Sequence, residues 1–173
     1  RHVWAILALL VKRLREAWPD VEIIFRGDSA FCRWRMLAWC ERHEVGYIVG
    51  LAKNSRVQAA AADLMEMARS RFVATGQKQR LFADVVYAAQ TWDQPRRVIA
   101  KAEHGDLGSN PRFVVTNLDG AAQMLYDDVY CARGEKVAFS AMENRIKEQQ
   151  LDLFADRTSC HHWWPNQLRL LLS

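Results

Sequence analysis

Two carboxylates and three side chains able to grip phosphate are the residues of this 173-residue chain that could do chemistry. Asp28 lies in Phe25-Arg26-Gly27-Asp28-Ser29-Ala30, where the apolar run from Val21 to Phe25 breaks into a turn. An acid delivered at the carboxyl end of a strand sits at the edge where open α/β sheets collect ligands and catalytic groups. The plainer account is that Asp28 caps the next helix, a position that favours Asp and Ser. Glu143 lies in Met142-Glu143-Asn144-Arg145-Ile146-Lys147-Glu148, a segment of strong helix formers. There the plainer account is an exposed pair of Glu143 with Lys147 at i,i+4, contributing about 0.3–0.5 kcal/mol. Tyr130 and Arg133 bring a hydroxyl and a guanidinium just before it, and a guanidinium can hold a phosphate through two parallel hydrogen bonds. Taken singly, each is an ordinary surface residue.

The elements that must position these groups follow from periodicity. Residues 2–18 read as a helix with Val3, Leu7, Leu10 and Leu14 on one face. Pro19-Asp20 breaks it, and 21–26 reads as an inner strand. Phe31 to His43 reads as a second helix with Trp34, Leu37, Ala38 and Cys40 inward, followed by a strand over 45–51. The α-β-α-β order implies a parallel pair, and burial on both faces explains why these two strands alternate so little. An amphipathic helix is expected over 58–71, with Ala61, Leu64, Met65 and Ala68 on one side. After Gly76 three β segments follow, near 82–87, 97–101 and 113–116, separated by turns at Asp93-Gln94-Pro95 and 105–111. Helices are expected again at 121–130, 142–154 and from 166 on. The chain thus reads as α/β, with a β-rich insertion at 76–118 between an α/β part at 1–75 and a helical part at 119–173.

Composition narrows the class. Half the residues are hydrophobic and seven are tryptophan, enough for a sizeable core. A net charge of +4 permits nucleic-acid binding without demonstrating it. Cys32, Cys40, Cys131 and Cys160 contain no CxxC pair, which favours free thiols in a reducing, cytoplasmic setting over a disulfide framework. The apolar run from Val3 to Val11 is too short to span a bilayer. The opening Arg1 and the closing leucine-rich run Leu168 to Leu172 read as the ends of a fragment.

Together and in order, these pieces resemble the DDE transposases of bacterial insertion sequences, whose catalytic domain has the RNase H-like fold. Phe25-Arg26-Gly27-Asp28-Ser29-Ala30-Phe31 resembles the strand that carries that family's second aspartate. Tyr130-Cys131-Ala132-Arg133-Gly134-Glu135, with the Glu143 segment, resembles its tyrosine-arginine-glutamate-lysine signature, and the likeness runs on through 152–157 and 166–169. The resemblance implies a partial RNase H-like core, parallel strands with flanking helices, interrupted by a β-rich insertion. It implies DNA transposition by metal-dependent strand cleavage and transfer, with Asp28 and Glu143 as catalytic and metal-ligating acids. Tyr130, Arg133 and Lys147 become DNA-binding residues. Mg²⁺ (or Mn²⁺) is the implied cofactor, because two-metal phosphoryl transfer uses hard cations held by oxygen ligands. The implied partners are transposon terminal inverted repeats and target DNA, bound by a homodimer with no membrane involved, in the bacterial cytoplasm at the nucleoid.

This sequence departs from the family pattern at three places. The strand with the first aspartate is expected before Arg1, so the chain is expected to be inactive alone and poorly soluble. Nine residues separate Arg133 from Glu143, more than the signature has, and Gln150 stands where its lysine is expected. These departures favour an alternative, a non-catalytic remnant of a mobile element with at most weak DNA binding; a nuclease of the same fold would use similar acids. Cys160-His161-His162 suggests zinc, but adjacent residues rarely ligate one ion, and no second cysteine pair completes a tetrahedron. Trp163-Trp164 could stack on an extruded base, with core packing the commoner use. Arg33, Arg35, Arg42, Lys53 and Arg56 could meet DNA phosphates or form a solvated helix face.

Overall fold

The computed structural model describes residues 3–132. Glu143, Arg133, Lys147, Gln150, the Cys160-His161-His162 run, the Trp163-Trp164 pair and the helices expected beyond 142 lie outside the described residues.

The chain opens with helix α1 (Val3–Ala17) and reaches strand β1 (Ile24–Gly27) through the Trp18-Pro19 break. A short 3₁₀ turn over Ser29–Phe31 leads to α2 (Trp34–Arg42) and β2 (Gly46–Leu51). Glu44 takes a left-handed backbone (φ 52°) to turn the chain between the last two. Asn54 caps α3 (Ser55–Ala60), its side chain accepting from the Val57 N–H at 3.0 Å. α4 (Ala62–Thr75) stops at Gly76, whose φ of 66° is the left-handed conformation in which helices commonly end on glycine. Four strands follow: β3 (Gln79–Tyr87), β4 (Arg96–Gly105), the two-residue β5 (Gly108–Ser109) and β6 (Arg112–Thr116). The described part closes with α5 (Ala122–Met124) and a π-helical turn over Leu125–Tyr130.

One sheet unites the strands in the order β1-β2-β6-β4-β3, with β5 paired to β4. β1 and β2 are parallel, as the α-β-α-β order requires, and every other pairing is antiparallel. The three β segments expected after Gly76 are present, and β6 hydrogen-bonds directly to β2, with Ile48 opposite Thr116 and Leu51 opposite Phe113. Successive residues of the central strands bury on opposite faces. Tyr47, Val49, Val98, Phe113 and Val115 join Val11, Leu37 and Val57 in the core on one face. Ile48, Ile99 and Val114 pack on the other under Leu125 and Tyr126. That double burial is why β2 reads as a continuous apolar run.

Four local expectations change. α1 buries Val11 and half-buries Leu7 and Ala8, leaving Leu10 and Leu14 exposed with Trp4, Ile6 and Leu9. A helix apolar on nearly every side offers no periodicity from which to choose its inner face. Trp34 is exposed because α2 starts at residue 34 rather than 31, after the 3₁₀ turn and an extended Arg33; the Arg35 guanidinium lies 5.3 Å from its ring centre. β1 is an edge strand among the described residues, with Ile24 exposed, rather than an inner one. The helix expected over 58–71 divides at Ala61 into α3 and α4, yet Ala61 and Ala68 are buried as its stripe requires.

Candidate functional site

Each residue of Phe25-Arg26-Gly27-Asp28 has a separate task. Phe25 points into the first core and meets Phe31 edge-on, ring centres 5.8 Å apart. Arg26 points to the other face, where Nη1 donates to the Val129 carbonyl at 3.3 Å and so ties β1 to the turn that carries Tyr130. Gly27 leaves room for Phe31, since a Cβ there would stand 3.1 Å from the Phe31 Cβ. Asp28 then caps the 3₁₀ turn, Oδ1 accepting from the Ala30 N–H at 2.9 Å. The helix-capping account of Asp28 is therefore true, and it fixes the carboxylate at the end of β1.

Tyr130 arrives from the far side of the sheet. Its hydroxyl passes so close to Gly50 that a Cβ on that residue would lie 2.7 Å from it, and 3.0 Å from the Ser29 nitrogen. Only glycine lets the tyrosine and the Asp28 turn converge over the end of β2. The two residues and the strand ends line one open cleft of about 330 Å³. Asp28 and Ser29 form one wall, Gly50 to Lys53 the floor, and Arg112, Tyr126 and Tyr130 another wall. Burial raises the Tyr130 phenol above its ordinary pKa, and the nearby Cys131 and Asp28 push the same way. At neutral pH the hydroxyl is therefore a hydrogen-bond donor, suited to an anionic oxygen.

The structure thus brings together two of the residues singled out from sequence, Asp28 and Tyr130, while Glu143, Arg133 and Lys147 fall outside the described residues. Of the basic cluster, Lys53 lines the cleft, whereas Arg33 bonds the Ala30 carbonyl and Arg35 covers Trp34. Sequence reasoning missed Gly50 and Arg112. A glycine inside an otherwise apolar strand signalled a close approach. Arg112 gave no sign, because only the pairing of β6 with β2 brings it to this edge.

The sequence model of the family described as Transposase DDE domain group 1 matches residues 1–173. The chain belongs to that family. No curated protein and no solved structure matches it. The mixed α/β sheet, with its one parallel pair and flanking helices, is accordingly a partial RNase H-like DDE domain, and its role is a transposition-related one with DNA as partner. DDE transposases generally use divalent metal ions. Among the described residues, no group of three or more His, Cys, Asp or Glu side chains could hold one. Among the described residues that line the cleft, Asp28 alone offers a carboxylate, the oxygen ligand a hard cation takes, and the cations Lys53 and Arg112 stand beside it. Cys32, Cys40 and Cys131 are free thiols, as expected. No helix among the described residues is long and apolar enough to cross a membrane.

Proposed function

We propose that the chain forms part of the catalytic centre of a DNA transposase, with Asp28 as a catalytic, metal-ligating acid and Tyr130 as a donor to the DNA phosphate. One observation carries the reading: the Asp28 cap and the Tyr130 hydroxyl, 102 positions apart in sequence, meet over Gly50 at the carboxyl ends of the parallel pair. Nothing in local folding requires that convergence, and phosphoryl transfer uses it.

Asp28 would hold Mg²⁺ or Mn²⁺ together with Glu143, and a bound divalent ion supplies positive charge where the attacking and leaving oxygens become negative. The chain's own residues do the positioning. The Ala30 N–H fixes one Asp28 oxygen and with it the carboxylate's rotamer. The protonated Tyr130 hydroxyl donates to a non-bridging phosphate oxygen, and Arg133 grips the phosphate with two N–H groups. Such contacts hold the strand without reading its bases. Lys147, three residues before the Gln150 position where the family's lysine is expected, contacts the same DNA. On this reading the protein works as a homodimer on transposon ends, in the bacterial cytoplasm.

Expressed from its complete reading frame and mixed with DNA carrying the element's ends, the protein is expected to cut a strand in Mg²⁺. Asp28→Asn is expected to reduce cutting to background while DNA affinity persists. Undiminished cutting by that variant would sink the assignment. A second reading, a non-catalytic remnant that binds DNA weakly, is favoured by the nine residues between Arg133 and Glu143 and by Gln150. It predicts binding but no cutting by the complete protein.

A further inference from the structure

The lysines and arginines of β3 and β4, with Lys78 just before β3, lie away from the Asp28 cleft and are each matched with an acid. Arg96 is held by Glu41 and Asp93, Arg97 by Asp84 at 2.8 Å, and Arg80 by Asp127. Lys101 and Lys78 share Glu103, at 2.9 and 3.3 Å. Lys53 and Arg112, in the walls of the cleft, form no hydrogen bond or ion pair through their side chains with any described residue, and both are exposed. They stand at one sheet edge for a topological reason. β2 ends at Leu51, which pairs with Phe113 of the antiparallel β6, so Lys53 just after β2 and Arg112 at the start of β6 flank the same opening. Arg112 lies near enough to Tyr126 and Tyr130 to counter the rise in both phenols' pKa values. Among the described residues, two unmatched cations stand in the opening beside a phenol donor and a single carboxylate, Asp28, which cannot balance both.

We infer that Lys53 and Arg112 form the substrate-binding edge of this cleft, each contacting a phosphodiester of the bound DNA strand. The inference rests on the reading of Asp28 as the catalytic acid. Arg112 presents a planar fork matched to a phosphate's two non-bridging oxygens, and Lys53 acts as a mobile point charge on the neighbouring phosphate. Both residues are positioning residues. They hold the backbone while the bases go unread, so their removal weakens binding alike on every sequence.

The test is the salt dependence of binding to a fluorescein-labelled DNA duplex, followed by anisotropy for the complete protein and three variants. These are Lys53→Gln/Arg112→Gln, a control pair Lys12→Gln/Arg13→Gln on α1, and Asp28→Asn. Two lost phosphate contacts flatten the slope of log K against log salt by about 1.8 for duplex DNA. Between 50 and 200 mM salt the double variant should therefore lose about 12-fold less affinity than the parent. The control pair removes the same charge and should leave the slope unchanged. Circular dichroism checks that each variant is folded. An unchanged slope in Lys53→Gln/Arg112→Gln, an equal change in the control pair, or no DNA binding by the parent overturns the inference. The two layers fail separately. A flattened slope with full cutting by Asp28→Asn retains the binding edge and removes the catalytic assignment. Lost cutting with an unchanged slope does the reverse.

Discussion

Replacing Arg96 by Met should destabilise the described domain by about 3 kcal/mol, the low end of the cost of breaking a buried ion pair. The side chain of Arg96 is 2% exposed, and it donates to both Glu41 oxygens, Nε to Oε1 at 2.7 Å and Nη2 to Oε2 at 2.8 Å. A third bond reaches Asp93 at 2.8 Å. Glu41 also accepts from the Tyr47 hydroxyl at 2.7 Å and from Gln94 at 2.9 Å. Burial by itself would raise the Glu41 carboxyl, but the bonds from Arg96, Tyr47 and Gln94 outweigh it and hold its pKa below the ordinary value. Arg96→Met leaves that carboxylate largely buried with two neutral donors; its side chain keeps 23% exposure, which argues for the low end of the range. Glu41→Gln/Arg96→Met orphans no buried charge, because Asp93 is exposed to solvent, and retains an acceptor for Tyr47, so it should cost about 1–2 kcal/mol, less than the single change. Urea unfolding followed by tryptophan fluorescence reads both at unchanged m. The melting temperature of the single variant should fall by roughly 6–12 °C. Because folding depresses the Glu41 pKa, the pair's contribution is present above the unfolded carboxylate value of 4.5 and is lost as pH falls through the lower folded value. The gap between parent and Arg96→Met should therefore narrow in acid. A single-variant cost under about 1 kcal/mol, or a double variant whose loss equals the sum of the single losses, would refute the reasoning.

Three further outcomes follow from the geometry. Gly50→Ala should displace the Tyr130 hydroxyl and cost about 1–3 kcal/mol by overpacking, and Tyr130→Phe in the same chain should recover part of that loss; two independent losses in unfolding experiments would contradict the contact. Burial raises the Cys32 and Cys40 thiols to about 11, so in a Cys160→Ser background iodoacetamide at pH 8 should label exposed Cys131 first, read by peptide mass spectrometry. Ile6→Lys/Leu9→Lys should raise the soluble fraction of the chain without changing its circular dichroism, because both side chains are more than half exposed on an apolar helix face; a folded variant that still precipitates would exclude that face as the cause.

How far the sequence disclosed this depended on what each feature rests upon. The parallel pair followed from two apolar runs separated by one helix, and Asp28 followed from the turn that ends the first. Both are local signals. The meander after Gly76 was also legible, from Pro95, Gly105 and Gly108 between β-rich segments. Its docking was not: Ile48 opposite Thr116 is a pairing of residues far apart in sequence, and no periodicity encodes it. Arg112 entered the cleft by that pairing, and Gly50 acquired its meaning from a tyrosine 80 positions later. The inner face of α1 was obscured for a different reason, since Ile6, Leu9 and Leu10 satisfy a helical stripe as well as Leu7 and Val11 do.

The two accounts of Asp28, cap and ligand, are compatible because a carboxylate has two oxygens. The Ala30 N–H occupies Oδ1, and the bond orients Oδ2 without consuming it. This makes the choice of substitution decisive. Asparagine caps a helix about as well as aspartate, so Asp28→Asn should leave stability within about 0.5 kcal/mol while removing the charge. Alanine removes cap and charge together and should cost about 1 kcal/mol as well as activity. If capping were the residue's whole purpose, Asp28→Asn would behave like the parent in unfolding and in strand cutting, and only Asp28→Ala would be impaired. If the carboxylate is a ligand, cutting fails equally in both variants while their stabilities differ. Measuring urea unfolding and cutting on the same two proteins separates the accounts, because each predicts a different pairing of results.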